Sequence, residues 1–293
     1  MRRLIAPLTA VPVALVLAAC GDESAVVSAE PEPGQVFTAT ATVLEDGDHG
    51  PQLCLGAVAT SDPPQCGGPD IPNWDWDAVE HTSRAGTTYG SYTVVGTYDG
   101  STFTLTEPAR PAEPVPEGEA DVAEPRFPTP CEEPEGGWAV VDETTATSEA
   151  MQEALEYASA QPDYAGSWVD QSINPALGEN ADPEQLEQHA NDPTRLVLNL
   201  RFIGDVDRHE RELREIWGGA LCVSLAEHTE EELLQIQREL HEDHDGILSS
   251  GVDSVTGGID AQVIWDDGSL QDEFDARYGD GVVRVSSALR PVD

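Results

Sequence analysis

The chain has 293 residues, room for two domains of ordinary size. It carries 56 Asp and Glu against 14 basic residues, all of them arginine, for a formal charge of −42. Phosphate contacts need clustered Lys and Arg, so this balance excludes nucleic acid as an expected partner and disfavours docking of the folded part onto anionic lipid. Apolar residues make up 39%, enough to build a core.

Residues 1–19 read as a signal peptide. Arg2 and Arg3 form a short positive start, and residues 4–19 are apolar and uncharged. That run is short for a membrane span, which needs ~20 apolar residues. Leu17-Ala18-Ala19-Cys20 matches the lipobox of bacterial lipoproteins, in which the cysteine is acylated and becomes the first residue. The predicted partner of the N-terminus is therefore the lipid bilayer, through the acylated Cys20. Each buried acyl CH₂ contributes ~0.8 kcal/mol, so two or three chains anchor firmly. Residues 20–35, small, acidic and Pro-containing, read as a tether.

From Phe37 the chain alternates apolar positions with threonine up to Val43, a half-buried strand ended by Asp46-Gly47-Asp48-His49-Gly50. Leu53 and Leu55 resume a strand. The run from Tyr92 to Tyr98 meets Ser101 to Leu105 across Asp99-Gly100, a strong hairpin signal. Residues 36–106 thus predict a small all-β barrel or sandwich. Residues 107–136 hold eight prolines and eight glutamates and read as an extended linker whose end is pinned at Cys131.

Residues 137–293 alternate helix and strand patterns. Trp138 to Val141 suggests a strand and Thr147 to Ala160 a helix. Asp182-Pro183 reads as a helix start. Leu196 to Phe202 is a strand, followed by a helix capped at Asp205. Thr229 and Glu232 form a capping box. Ile259 to Trp265, Ser269 to Tyr278 and Val282 to Ala288 read as strand, helix, strand. The stretches 196–225 and 259–288 look alike, each a βαβ unit. The fold expected is α+β: the all-β domain, then an α/β sandwich in which both units share a ferredoxin-like or related mixed sheet.

Five cysteines occur. With Cys20 lipidated, four remain for an oxidising compartment, and four allow three pairings. Cys54 and Cys66 lie twelve apart in one domain, leaving Cys131 with Cys222. A zinc site lacks any close C-x2-C pair.

Little in the sequence carries chemistry. There is no Gly-rich phosphate loop and no G-x-S-x-G. No catalytic residue and no cofactor is assigned. In His241-Glu242-Asp243-His244-Asp245 the histidines are three apart, and His241, His244 and Asp245 could hold a divalent metal; the alternative is a solvated helix end. Asp46, Asp48 and His49, or Asn73, Asp75 and Asp77, could hold calcium, although neither matches an EF-hand loop. Trp74 and Trp76 could form a stacking platform for sugar or peptide, or could close the bottom of the β domain. His209, His228 and His241 are the histidines around which a hydrolase site would form.

The motifs Leu53-Cys54-Leu55-Gly56, Pro63-Pro64-Gln65-Cys66-Gly67-Gly68-Pro69 and Trp74-Asp75-Trp76 resemble the start of a group of uncharacterised secreted proteins and lipoproteins of high-GC Gram-positive bacteria. Thr129-Pro130-Cys131, Gly136-Gly137-Trp138, Trp168-Val169-Asp170-Gln171 and Trp217-Gly218-Gly219 extend the similarity from about residue 38 to the C-terminus. The resemblance implies export and paired cysteines, and it implies no activity.

The reading that follows is a non-catalytic, membrane-anchored binding or scaffold lipoprotein on the extracytoplasmic face, with an envelope protein or cell-wall component as partner. An envelope hydrolase with a His/carboxylate site and a calcium-binding surface protein are the rivals. If Cys20 carries the lipid, Cys20→Ala moves the protein from the membrane fraction to the soluble fraction; equal membrane association of both forms contradicts the lipobox.

Overall fold

The computed structural model describes residues 31–56, 58–59, 61–113, 127–177 and 189–292. The lipobox with Cys20, the tether up to residue 30, the middle of the linker and the helix expected from Asp182 lie outside the described residues. The fold is α+β, with three sheets and no closed barrel among the described residues.

Strand β1 (Val36–Glu45) buries Phe37, Ala39 and Val43 on one face and turns Thr38, Thr40 and Thr42 outward. It pairs along its whole length with β4 (Thr87–Tyr98), antiparallel. On the outer edge of β4 sit three short antiparallel strands: β3 (Thr82–Arg84), β5 (Phe103–Leu105) and β6 (Arg110–Pro111). β5 returns through the predicted Asp99-Gly100 turn, where Asp99 Oδ1 accepts from the N–H groups of Ser101 and Thr102. On the outer edge of β1 sit β2 (Gln52–Cys54) and, from the far end of the chain, β13 (Arg290–Pro291). The core under this sheet includes Phe37, Val43, Leu53, Ile71, Tyr92, Phe103 and Leu289. Cys54, at the end of β2, is joined to Cys66, with Cα atoms 5.6 Å apart.

The rest of the chain is a structural duplication. The first unit is helix α1 (Ser148–Ser159), strands β7 (Tyr164–Asp170) and β8 (Val197–Phe202), helix α2 (Val206–Arg214) and strand β9 (Ala220–Leu225). The second is helix α3 (Glu230–Asp243), strands β10 (Ile247–Asp253) and β11 (Gly258–Val263), helix α4 (Ser269–Tyr278) and strand β12 (Val283–Ser287). Among the described elements each shows the order αββαβ, with the first two strands antiparallel and the last two parallel. The βαβ halves match the sequence reading. The two units, however, form two three-stranded sheets rather than one. The physical reason is edge occupancy. β7 fills the free edge of β8, and β10 fills that of β11, so neither central strand can pair with the other unit. Strands β7 and β10 carry only weak alternation, which hid them. The strand expected at Trp138–Val141 is instead a bend, held by Val141 and Asp142 N–H donating to Gly218 O.

Helices cover one face of each sheet. Ala154, Ala158, Leu198, Leu200, Phe202, Leu213 and Trp217 are among those forming the core of the first unit; Leu233, Leu240, Ile259, Val263 and Phe274 are among those forming that of the second. The opposite face of the first unit's sheet is closed by the linker's end. Thr129 donates through its N–H (2.9 Å) and its hydroxyl (2.8 Å) to buried Asp170, Trp168 Nε1 donates to Pro128 O, and Cys131 is bonded to Cys222. Both expected disulfides are therefore present.

The units are locked by Arg201 of β8, which donates to the carbonyls of Ser254 (3.3 Å) and Val255 (3.0 Å) in the β10–β11 turn. Gly257 in that turn has φ +75°, and a Cβ there would stand 2.7 Å from the Arg201 guanidinium, so the joint needs glycine. After β12 the chain bends through Ala288 and Leu289 and enters the first sheet. Residues 288–292, grouped by sequence with the second domain, thus belong in part to the first. Trp265 packs edge-on against Phe37 at 5.0 Å.

Because Phe37 links the first core to the second half, Phe37→Ala is expected to cost about 3–5 kcal/mol and to lower one common thermal transition. Two separated transitions in wild type, only one shifted by the substitution, would contradict this coupling.

Candidate functional site

The hydrogen-bond phase of β1 follows from one contact. Val292 N–H donates to Val36 O, so Val36 and the other even-numbered residues of β1 point their backbone groups away from β4. Thr38 faces Arg290 of β13, and Thr42 faces Cys54 of β2. Between them, Ala39, Thr40 and Ala41 pair only with β4. The N–H and C=O of Thr40 therefore point outward with no strand beside them among the described residues.

This gap opens into a cleft of about 760 Å³. β1 supplies Thr38 to Thr42 as its floor. The chain leaving β2 (Leu55, Gly56, Val58) forms one wall, and the chain entering β13 (Ser287, Ala288, Arg290) forms the other, with Gln262 of β11 behind. Small side chains at Ala39 and Ala41 leave the space, and the outward threonines give it a hydroxyl lining. Thr40 Oγ1 shares a hydrogen bond with Thr93 Oγ1 at 2.8 Å, and Thr38 Oγ1 donates to Val94 O. Among the described residues two charged side chains line the cleft. Glu113 follows β6 and lies on the far side of β4 from the open edge, level with Thr42, because Ala112 N–H donates to Ser91 O and Ser91 faces Thr42. Arg290 lies at the β13 end and makes no ion pair or side-chain hydrogen bond among the described residues. A cleft of this size between two packed units is the usual form of a ligand site.

The residues singled out in the sequence lie elsewhere. Trp74 and Trp76 meet edge to face at 5.3 Å, and both pack on Tyr92 and the first core. Trp76 Nε1 donates to Glu45 at 2.5 Å. Their rings present edges to each other instead of one flat stacking surface. His241 and His244 diverge. His241 is exposed with Nε2 2.7 Å from Ser250 Oγ, whereas His244 is 3% exposed against Phe274, and Asp245 is on the surface. Among the described residues no group of three or more His, Cys, Asp or Glu is placed to hold a metal ion. Asp46 and Asp75 turn their carboxylates onto backbone N–H groups of their own turns. His228 lies 4.0 Å from Glu232 beside the start of α3.

His209 is fully buried, stacked on Phe202 at 3.7 Å, and donates Nε2–H to Asp163 Oδ2 at 2.8 Å. Arg208 bonds Glu212 at 2.9 Å, and Tyr157 donates to the same carboxylate. Burial alone would raise the Asp163 carboxyl, but the His209 hydrogen bond and the Arg208 charge outweigh it and hold it below the ordinary carboxylate range. The network ties α1, α2 and the entry to β7 together. It has the parts of an acid–base pair, yet the imidazole has no exposed surface on which a substrate could rest.

Comparison with protein-family models finds no match, and comparison with curated proteins finds no relative of significant similarity.

A folded-state pKa held low contributes stability that is present above the unfolded value and is lost as pH falls through the folded one. Wild type is therefore expected to lose more stability than Asp163→Asn as pH drops below about 4. Parallel loss in the two proteins, followed by chemical denaturation at each pH, would remove Asp163 from the account.

Proposed function

We propose that the protein is a lipid-anchored binding lipoprotein of the cell envelope, held on the extracytoplasmic face through Cys20, and that the cleft beside β1 is its ligand site. The observation that carries the binding reading is the open edge of β1: a strand flanked by β13 and β2, with a backbone N–H and C=O turned into a cleft of about 760 Å³. A polar strand edge left open is a standing offer of hydrogen bonds. The extracytoplasmic reading is supported by the two disulfides, a chemistry that persists in oxidising compartments. Among the described residues no helix is long and apolar enough to cross a membrane, so the anchor in this reading is the acylated N-terminus.

The acidic surface fits the same role. Mature protein from Cys20 onward keeps 12 arginines against 56 acids, a charge of −44 that holds it hydrated and apart from anionic polymers.

The binding reading is tested with backbone amide spectra of the mature protein in detergent micelles, recorded with and without detergent-solubilised envelope fragments. The expected result is a set of shifts confined to Thr40, Thr42, Gln262 and Ser287. Shifts clustered instead around His241 and Ser250 or around His228, or no shifts at all, would overturn the assignment of the cleft.

A further inference from the structure

We infer that the cleft captures the free C-terminal end of an extended peptide, which adds to β1 as a short strand opposite Thr40. The inference rests on reading the cleft as a binding site and names the class of its ligand.

The first argument is the kind of group on offer. Thr40 presents its N–H and C=O side by side at the edge of an antiparallel sheet, and the complement of that pair is the N–H and C=O of one residue of another strand. Thr40 is exposed, and its ladder bonds on this side are vacant among the described residues. The second argument is length. From Thr38 to Thr42 is four steps of strand, ~14 Å at ~3.4 Å per residue, with three open positions between. Both ends are already occupied, by Arg290 opposite Thr38 and Cys54 opposite Thr42. A strand cannot run through such a slot. Only a chain end fits, entering from the open side of the cleft and stopping there.

The third argument is polarity. β2 and β13 both run antiparallel to β1. A peptide that continues their direction places its upstream residues at the β2 end and its last residue at the β13 end. Arg290 lines the cleft at that second end without a carboxylate partner among the described residues. A positive group where the chain stops selects a terminal carboxylate over a terminal amine. The last residue then stands opposite Thr40, donating its N–H to Thr40 O and accepting from Thr40 N–H through one carboxylate oxygen, with the other oxygen toward the Arg290 guanidinium.

The test uses the full mature chain in detergent micelles. The probe is a pool of N-acetylated hexapeptides randomised at the last three positions, from which the retained peptides are resynthesised singly. Each is prepared with a free carboxylate, with a C-terminal amide, and with the nitrogen of its last residue methylated. The free-acid peptides should shift the amides of Thr40, Thr42 and Ser287. Losing a charge-assisted hydrogen bond should weaken binding about tenfold or more, whether the carboxylate is amidated or the protein is Arg290→Gln. The amidated peptide should then bind wild type and Arg290→Gln alike. Methylating the last residue's nitrogen removes the donor to Thr40 O and should abolish binding without touching the protein's fold. Amidated or methylated peptides that bind as well as the free acid overturn the inference. If no peptide shifts any cleft amide while solubilised envelope fragments still do, the peptide inference fails and the cleft survives as a binding site. If neither probe shifts them, both fail.

Discussion

The pairing of Arg290 and Pro291 with Phe37 and Thr38 is the interaction on which the rest of the molecule depends. It brings the last residues of the chain onto the first strand and makes one body of two regions that differ in secondary structure. Leu289 is fully buried in the first core, and its N–H donates to Ile264 O, so the return carries apolar burial as well as ladder bonds. Because β13 pairs with so little of β1, and β2 with only three residues, the edge between them stays open. The contact that closes the fold is therefore also the contact that creates the cleft.

Much of the architecture was legible from local signals. The alternation at Phe37 to Val43, the Asp99-Gly100 turn, the Thr229–Glu232 capping box and the four-cysteine arithmetic each act within a few residues or through simple counting, and each reappears in three dimensions. The βαβ halves of the duplication were visible for the same reason. The single shared sheet was not realised, because it depended on which strand takes the free edge of β8 and β11. That is a competition between distant segments, and β7, with Gly166 and Ser167 in its middle, carries no strong strand pattern.

The candidate site was the least legible part. Thr38, Thr40 and Thr42 looked like any outward face of a strand, and Ala288-Leu289-Arg290 looked like a chain end. Nothing in either segment specifies that Arg290 stops opposite Thr38. The residues that did stand out chemically have mostly structural work. Trp74 and Trp76 pack on the first core, Asp46 and Asp75 hold turns, and His209 and Asp163 form a buried tie. In a chain with 56 acids, carboxylates near histidine arise readily, and their geometry decides between a turn, a tie and a site. The duplication adds a further asymmetry. The first unit's outer face is sealed by the Thr129–Cys131 segment, while the second carries Asp260, Gln262, Arg284 and Ser286 on its own and turns Gln262 toward the cleft.

The central claim is that the edge of β1 is open at one residue between two paired ones. Amide hydrogen exchange measures this directly, since an N–H without a partner exchanges far faster than one in a ladder. The account predicts a fast-exchanging Thr40 amide flanked by protected amides at Thr38 and Thr42. A Thr40 amide as slow as its two neighbours would mean that the gap is already filled, and would contradict the account.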